Sequence, residues 1–188
     1  MSADYAQLPP DLPVPEDDGA ADHLPGLAVP ALSLPASDGS DLDLAELAAG
    51  RLVAYFYPRT GIPGEPLPDG WDEIPGARGC TPQSCAYRDS LAELEELGAT
   101  VVGVSAQSKR EQADFARRDH ISFPLLSDPA LRAAETLGLP TFEAAGLRLY
   151  KRLTLIAERG KIVAALYPVF PPDRDAAEVI AWLREQRG

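Results

Sequence analysis

Two apolar segments constrain the fold of this chain most strongly. Residues 51–58 read RLVAYFYP and residues 100–106 read TVVGVSA, and both are rich in β-branched and aromatic side chains. Apolar runs without polar alternation are typical of strands that are buried on both faces of a sheet. Parallel neighbours need a crossover connection, so the pattern predicts a sheet that is covered by helices on both sides.

Helical patterns fill the intervals between these strands. Thr81 is expected to cap a helix whose first position is Pro82 and whose apolar stripe ends at Gly98. Ser108 and Glu111 have the spacing of a capping box and predict a second helix. Both helices follow a predicted strand, as expected for alternating strands and helices.

The rest of the chain supplies shorter elements. A hairpin and a short helix are expected before residue 51, around the Asp38-Gly39 turn signal. Asp128-Pro129 is expected to start a helix that stops at Gly138. The segments LRLYKRLTLIA and KIVAALYP predict an antiparallel hairpin, and an amphipathic helix closes the chain. The predicted order β-α-β-α-β-α-β-β-α indicates an α/β, thioredoxin-like fold with a central mixed sheet.

Composition separates an N-terminal arm from the domain. Residues 1–26 are rich in Pro, Asp and Ala and have little periodicity, which predicts a disordered or loosely packed arm. Residues 27–188 are expected to form one thioredoxin-like domain. The long segment from residue 59 to residue 79 is rich in Pro and Gly, and a loop of this length is often functional.

The charge of the chain excludes several classes of partner. The formal net charge is −12 at pH 7, which would repel nucleic acids and anionic membrane surfaces. No apolar run reaches the roughly 18 residues of a membrane-spanning helix. The N-terminus has no basic head followed by an apolar block, so we expect no secretory signal and a cytoplasmic protein.

Both cysteines of the chain lie in one short segment, at Cys80 and Cys85. Cys80 lies where the long loop meets a predicted helix N-terminus, whose N–H groups and dipole favour a thiolate. Cys80 is therefore the candidate nucleophile. Residues five apart in a helix have Cα atoms roughly 8.6 Å apart, whereas a disulfide tolerates only about 4.4–6.8 Å. The two sulfurs can bond only if the helix start unwinds, after which Cys85 could attack a sulfenic acid on Cys80.

Other interpretations of the two cysteines remain open at this point. Two inert, buried cysteines are possible, since cysteine often behaves as a small apolar side chain. A zinc site would need His23 and His120 as ligands besides the two cysteines. Both histidines are remote in sequence, so these four residues are a poor tetrahedral ligand set. A thioredoxin-type redox centre would have two residues between its cysteines instead of four.

Several motifs in one order carry a resemblance to a known family. VAYFYP, GCTPQSCAYRD, GATVVGVSAQS, FPLLSD and KRLTLIAERGKI resemble the corresponding motifs of the peroxiredoxin Q (bacterioferritin comigratory protein) subfamily, over about residues 27–185. The resemblance implies a thioredoxin fold and thiol-dependent reduction of hydrogen peroxide and organic hydroperoxides. It also implies that a thioredoxin-like dithiol is the reductant, that no cofactor is needed, and that the protein is a monomer or a weak homodimer.

The resemblance also implies roles for individual residues. Cys80 matches the peroxidatic cysteine and Cys85 the resolving cysteine. Arg152 matches the arginine that steadies the thiolate and polarises the peroxide, and Pro58 the proline that starts the active-site loop. A fixed guanidinium suits this chemistry because it donates hydrogen bonds to the peroxide oxygens as charge develops. Strand alternation would place Arg152 on one face with its apolar neighbours at positions 150 and 156.

The loop before Cys80 departs from the family pattern. Ala77 and Glu73 occupy positions where the family carries Thr or Ser and Pro, and an insertion lengthens the segment after Pro58. Thr60 could supply the missing hydroxyl if the insertion loops outward. Otherwise the backbone N–H groups around Gly79 would hold the peroxide together with Arg152.

Two further functions remain as alternatives to the peroxidase. A redox-sensing or binding protein would form the same disulfide but use helix unwinding as a signal to a partner. A thiol–disulfide oxidoreductase would exchange disulfides with proteins and need no peroxide. The sequence contains no phosphate-binding Gly-rich loop and no His-based metal set, so no metal site is predicted.

Overall fold

A computed structural model describes Tyr5 and residues 7–186. No helix in this part of the chain is long and apolar enough to span a bilayer. The strands are β1 (Ser33–Pro35), β2 (Asp41–Asp43), β3 (Arg51–Phe56), β4 (Ala99–Ser105), β5 (Leu125–Ser127), β6 (Thr141–Ala144), β7 (Leu147–Tyr150), β8 (Leu153–Glu158) and β9 (Lys161–Leu166). The helices are α1 (Leu44–Leu47), α2 (Cys80–Asp89), α3 (Leu91–Glu96), α4 (Lys109–Arg118), α5 (Arg132–Leu137) and α6 (Asp175–Glu185), with short 3-10 turns at Trp71–Glu73 and Pro172–Arg174.

A five-stranded mixed sheet forms the centre, in the order β5-β4-β3-β8-β9. Strands β3, β4 and β5 run parallel, while β8 is antiparallel to β3 and β9 is antiparallel to β8. The predicted α/β class with a central mixed sheet is confirmed. The sequence pattern therefore identified both the parallel pair and the antiparallel hairpin that completes the sheet.

Alternate side chains of β3 point into two separate apolar cores. Val53 and Tyr55 join a core that helices α2, α3, α4 and α6 cover, whereas Leu52 and Phe56 join a core under α1, α5 and the β1–β2 hairpin. All four residues are buried. The apolar run at 51–58 is continuous because its side chains are buried on both faces of the sheet, as predicted.

The helix after the long loop differs from the sequence prediction. Gly79 caps it instead of Thr81, and Pro82 occupies the third helical position, where a missing N–H still breaks no intrahelical bond. Gly79 has a φ of 106°, which glycine adopts at little cost and which lets the helix begin two residues before the expected start. The expected single helix is also broken at Ser90 into α2 and α3.

Two further boundaries differ from expectation. Helix α5 begins at Arg132, because the Asp128 carboxylate accepts hydrogen bonds from the N–H groups of Arg132 and Ala133 at 3.0 and 2.9 Å. The sequence analysis also missed β6, which pairs with β7 in a separate antiparallel ribbon. The segment predicted as one strand through Arg152 is therefore two strands.

This division corrects the expected alternation around Arg152. Tyr150 lies in the core under α5, and its hydroxyl donates to Asp128 at 2.6 Å, whereas Ile156 lies in the opposite core. Residues 151 and 152 belong to neither β7 nor β8, so the chain changes faces between the two strands. Arg152 therefore leaves a strand junction and does not project from a regular strand face.

The N-terminal arm lies against the domain over its described residues. Leu24 is fully buried, and the N–H of Gly26 donates to the carbonyl of Ile162 at 2.8 Å. Asp18 pairs with Lys151 at 2.7 Å, and this hydrogen bond is the main reason that the pKa of Asp18 falls to about 2. The division of the chain at residue 26 stays a prediction, and residues 1–4 lie outside the described part.

Gly103 makes room for the ring that supports α2. A Cβ on Gly103 would lie 2.7 Å from the ring of Tyr55 and 2.8 Å from Leu125. We expect Gly103→Ala to lower the free energy of unfolding by about 1–3 kcal/mol, because an extra methyl overpacks this core. Urea denaturation measures the change, with Gly50→Ala as the control because a Cβ at Gly50 meets nothing within 4 Å. Equal stabilities of the two variants would contradict the close packing.

Candidate active site

Cys80 occupies the first position of α2 and is buried. Its position depends on Gly79, because a Cβ there would lie 2.4 Å from the ring of Pro172 and 2.8 Å from a methyl of Leu8. The positive φ and the close approach together require glycine at this residue. Cys80, the candidate nucleophile, therefore lies at the predicted helix start because Gly79 precedes it. A larger residue at position 79 would displace its neighbours.

Arg152 reaches the Cys80 sulfur from the junction between β7 and β8. Its Nη2 atom donates to Cys80 Sγ at 3.3 Å and to the carbonyl oxygens of Ala77 and Arg78 at 3.2 and 3.1 Å. Its Nη1 atom donates to the Gln83 side-chain oxygen. Arg152 is only 3% exposed, so these acceptors replace water at Nη1 and Nη2, while the buried Nε has no hydrogen-bond partner in the described chain.

Gln83 connects this guanidinium to a buried carboxylate. While its oxygen accepts from Arg152, its Nε2 atom donates to Asp175 Oδ2 at 2.7 Å. An amide side chain has a donor and an acceptor at opposite atoms, so it fits between a cation and an anion in one orientation only. The hydrogen bond to Asp175 therefore fixes the orientation of the Gln83 amide, with its oxygen toward Arg152.

Asp175, at the start of α6, accepts hydrogen bonds from three side chains on two other elements. Besides Gln83 on α2, Tyr87 on α2 donates to Oδ2 at 2.9 Å and Thr154 on β8 donates at 2.7 Å. Burial raises the pKa of the Asp175 carboxyl, and the hydrogen bonds from Thr154, Gln83 and Tyr87 oppose this rise. Burial, followed by the nearby charge of Asp175, raises the pKa of the Tyr87 phenol and keeps it protonated as a donor.

The other predicted site residues are placed unequally around Cys80. Thr60 and Gly79 line the same small cavity as the Cys80 side chain. The Thr60 hydroxyl donates to Gln107 Oε1 at 3.1 Å, which leaves its oxygen available only as an acceptor. Pro58 is buried, accepts a hydrogen bond from Ser105 at 3.0 Å, and is not part of the described wall of this cavity.

Cys85 lies on the same helix and is half-buried. Neither Cys85 nor Cys80 forms a disulfide. Burial raises the pKa of the Cys85 thiol, against the opposing effect of Arg88. Because α2 is continuous from Cys80 to Asp89, the two cysteines are held in the helical relation that is too long for a disulfide. The structure thus has one cysteine beside a cation and a second whose thiol pKa is raised above its ordinary value by burial.

The sequence analysis missed the residues that organise the site from behind. Gln83 is one helical turn from Cys80, and that spacing could have been recognised, because residues three apart share a helix face. Asp175 and Thr154 carry no comparable signal, since they reach the site only through the packing of α6 and β8. In the described chain there is no group of three or more His, Cys, Asp or Glu side chains that could hold a metal.

The Redoxin family profile matches residues 24–180. Peroxiredoxin Q of the chloroplast of Populus jackii is 31% identical over 160 residues, which are 85% of this chain and 67% of that protein. The chain belongs to the Redoxin family and is a peroxiredoxin of the Q/Bcp type. Peroxiredoxin Bcp of Escherichia coli K12 is 26% identical over 163 residues, covering 85% of this chain and 95% of that protein.

The structural comparison agrees with this membership. The crystal structure of peroxidoxin BcpB from Mycobacterium tuberculosis has a TM-score of 0.71 and 29% sequence identity, and the match covers 88% of this chain and all of that one. The peroxiredoxin therefore has a thioredoxin-like fold and thiol-dependent peroxidase activity. The expected family, fold and enzyme class are confirmed.

Asp175 is expected to stabilise the site substantially. Asp175→Ala should lower the free energy of unfolding by about 2–4 kcal/mol, because Gln83, Tyr87 and Thr154 would lose their common buried acceptor. Urea denaturation measures this change. Asp173→Ala, at an exposed residue of the preceding turn, is the matched control and should change stability by less than about 0.5 kcal/mol. Equal effects of the two substitutions would contradict the role of the network.

Proposed function

We propose that Cys80 is the peroxidatic cysteine, that Cys85 resolves it as an intramolecular disulfide, and that Arg152 assists the first step. The contact that carries this proposal is the hydrogen bond from Arg152 Nη2 to Cys80 Sγ at 3.3 Å, in a buried site. A fixed cation beside a sulfur favours the thiolate, which is the reactive form. The same guanidinium lies where it can donate to a peroxide oxygen.

In the first step, the Cys80 thiolate attacks one oxygen of the hydroperoxide. A sulfur–oxygen bond forms as the oxygen–oxygen bond breaks, and the leaving oxygen takes up a proton to become water or an alcohol. Sulfur is oxidised to a sulfenic acid and the peroxide is reduced. Arg152 stabilises the negative charge that develops on the leaving oxygen, because its donors are already in place before the reaction.

In the second step, the Cys85 thiol attacks the Cys80 sulfenic acid and releases water, and this forms the disulfide. Helix α2 must open for this step, because its intact geometry keeps the two residues too far apart. Opening breaks the bonds of Gln83 to Arg152 and Asp175, and that of Ser84 to the Tyr55 hydroxyl at 2.9 Å. These bonds hold the reactive conformation until oxidation has occurred.

A dithiol reductant completes the cycle. It reduces the disulfide to two thiols and becomes a disulfide itself, so no cofactor enters the cycle. We propose a thioredoxin-like protein for this role, since that is the reductant that the family resemblance implies. A cytoplasmic location and a monomer or weak homodimer stay predictions.

Substitution of each cysteine tests the cycle. Cys80→Ser should abolish peroxide consumption, since the nucleophile is lost. Cys85→Ser should be oxidised once, stop at the sulfenic acid and fail to turn over with thioredoxin. Free-thiol counts before and after one equivalent of hydrogen peroxide, together with a sulfenic-acid probe, measure both outcomes. Full activity in Cys80→Ser would refute the assignment.

The wild-type thiol count distinguishes the alternative functions. Loss of both thiols within seconds and their recovery with thioredoxin and its reductase support the peroxidase cycle. Consumption of only about one equivalent of peroxide per protein, with no turnover, would favour the redox-sensing alternative. Disulfide exchange without any peroxide would favour a thiol–disulfide oxidoreductase.

Two arginine substitutions distinguish a specific role of Arg152 from a general effect of positive charge. Arg152→Met should slow Cys80 oxidation by about 10²–10³-fold, because the charge-stabilising donors are removed. Stopped-flow or quenched-flow oxidation of the reduced protein gives the rate constant. Arg148→Met, at an exposed arginine of β7, removes the same charge elsewhere and should leave the rate unchanged. Equal rates in the two variants would return Arg152 to a structural role.

A further inference from the structure

The cavity at Cys80 is small. Its volume is about 10 Å³, which is room for about one water molecule. Tyr5 of the N-terminal arm and Leu67 and Trp71 of the 59–79 insertion form part of its wall. Two segments outside the motifs that carry the family resemblance therefore limit how much space a substrate finds at the sulfur on this side.

Tyr5 is held in the wall by three contacts. Its hydroxyl donates to the carbonyl of Glu65, and the guanidinium of Arg78 lies 5.6 Å above its ring. Its ring packs directly on the backbone of Gly61, where a Cβ would lie 2.7 Å from the ring carbons. The arm thus places the Tyr5 ring against the insertion, where the ring lines the cavity at Cys80.

The insertion forms a packed wall because it shares a small apolar core with the β6–β7 ribbon. Trp71 is 3% exposed and lies in a cluster with Ala77 and Leu149, with its ring centroid 6.2 Å from that of Phe142. The insertion therefore packs on the β6–β7 ribbon. A wall anchored in this way yields less to a substrate than a solvated loop would.

The arm also contacts the backbone next to the nucleophile. Leu8 lies against Gly79, where a Cβ would be 2.8 Å from its methyl group. Tyr5 and Leu8 therefore contact glycines on either side of the cavity, at Gly61 and Gly79. The arm is a second wall of the site and lies over the start of α2.

We propose that Tyr5 and Trp71 form a steric filter that selects hydrogen peroxide over bulky organic hydroperoxides. This inference rests on the proposed function of Cys80. The reacting oxygen must approach Sγ, so a group on the other oxygen that extends along this cavity meets the space that these two side chains limit. Hydrogen peroxide carries only a hydrogen there and needs a small adjustment of the wall. A cumyl group would have to displace the Tyr5 ring.

Truncation of Tyr5 tests the filter by a gain of reactivity. The measurement is the rate constant for oxidation of reduced protein by hydrogen peroxide and by cumene hydroperoxide, in single turnover. We expect the wild type to favour hydrogen peroxide at least about tenfold. Tyr5→Ala should lower this preference about tenfold, since a steric restriction of this size is typical of a pocket wall.

Two variants control for loss of the arm and loss of the hydroxyl. Tyr5→Phe keeps the ring and should keep the wild-type preference, whereas a change as large as that in Tyr5→Ala would overturn the assignment to the ring. Asp11→Ala truncates an exposed residue of the same arm and should change neither rate constant. An effect of Asp11→Ala equal to that of Tyr5→Ala would also overturn the filter.

The outcomes separate this inference from the function on which it rests. Equal wild-type rates with the two peroxides, or an unchanged preference in Tyr5→Ala, would overturn the filter and leave the peroxidase intact. A wild type that reacts with neither peroxide would overturn the proposed roles at Cys80, and the filter with them.

Discussion

The buried guanidinium of Arg152 is the interaction on which the site depends. Its hydrogen-bond acceptors, at Ala77, Arg78, Cys80 and Gln83, all belong to the end of the insertion or the first turn of α2. A charge this deeply buried needs acceptors in place of water, and the 77–83 segment supplies those of Nη1 and Nη2, so the cation and this segment order each other. The nucleophile, the start of its helix and the end of the insertion are therefore held by one side chain.

The same arrangement must also be released during the proposed cycle. Peroxide reduction needs Cys80 beside Arg152, whereas disulfide formation needs α2 to open. Gln83 and Tyr87 attach the helix to Asp175, so this buried carboxylate opposes opening and favours the reactive state. The balance between the closed and the opened helix is thus set by hydrogen bonds in an apolar core. There each hydrogen bond is strong, and an unpaired polar group is costly.

Substrate access is governed by parts of the chain other than the reactive residues. The arm and the insertion bring Tyr5 and Trp71 to the cavity of Cys80. Neither segment forms a strand of the central sheet, so their size and sequence can change without disturbing the sheet. A peroxiredoxin can in this way keep the thiol chemistry of the Q/Bcp type while its peroxide preference is set by the segments that cover the thiol.

The sequence by itself determined the parts of this protein that depend on local pattern. The apolar run at 51–58 predicted a strand buried on both faces, Ser108 and Glu111 predicted a capping box that the structure contains, and the motifs around Cys80 and Arg152 predicted the family. Tertiary structure decided what depends on contacts between distant residues. Asp175 and Tyr5 reach the site only because α6 and the arm pack there, and the β7–β8 junction turns Arg152 toward Cys80. Periodicity describes which face of an element is buried, but not which distant side chain will meet it.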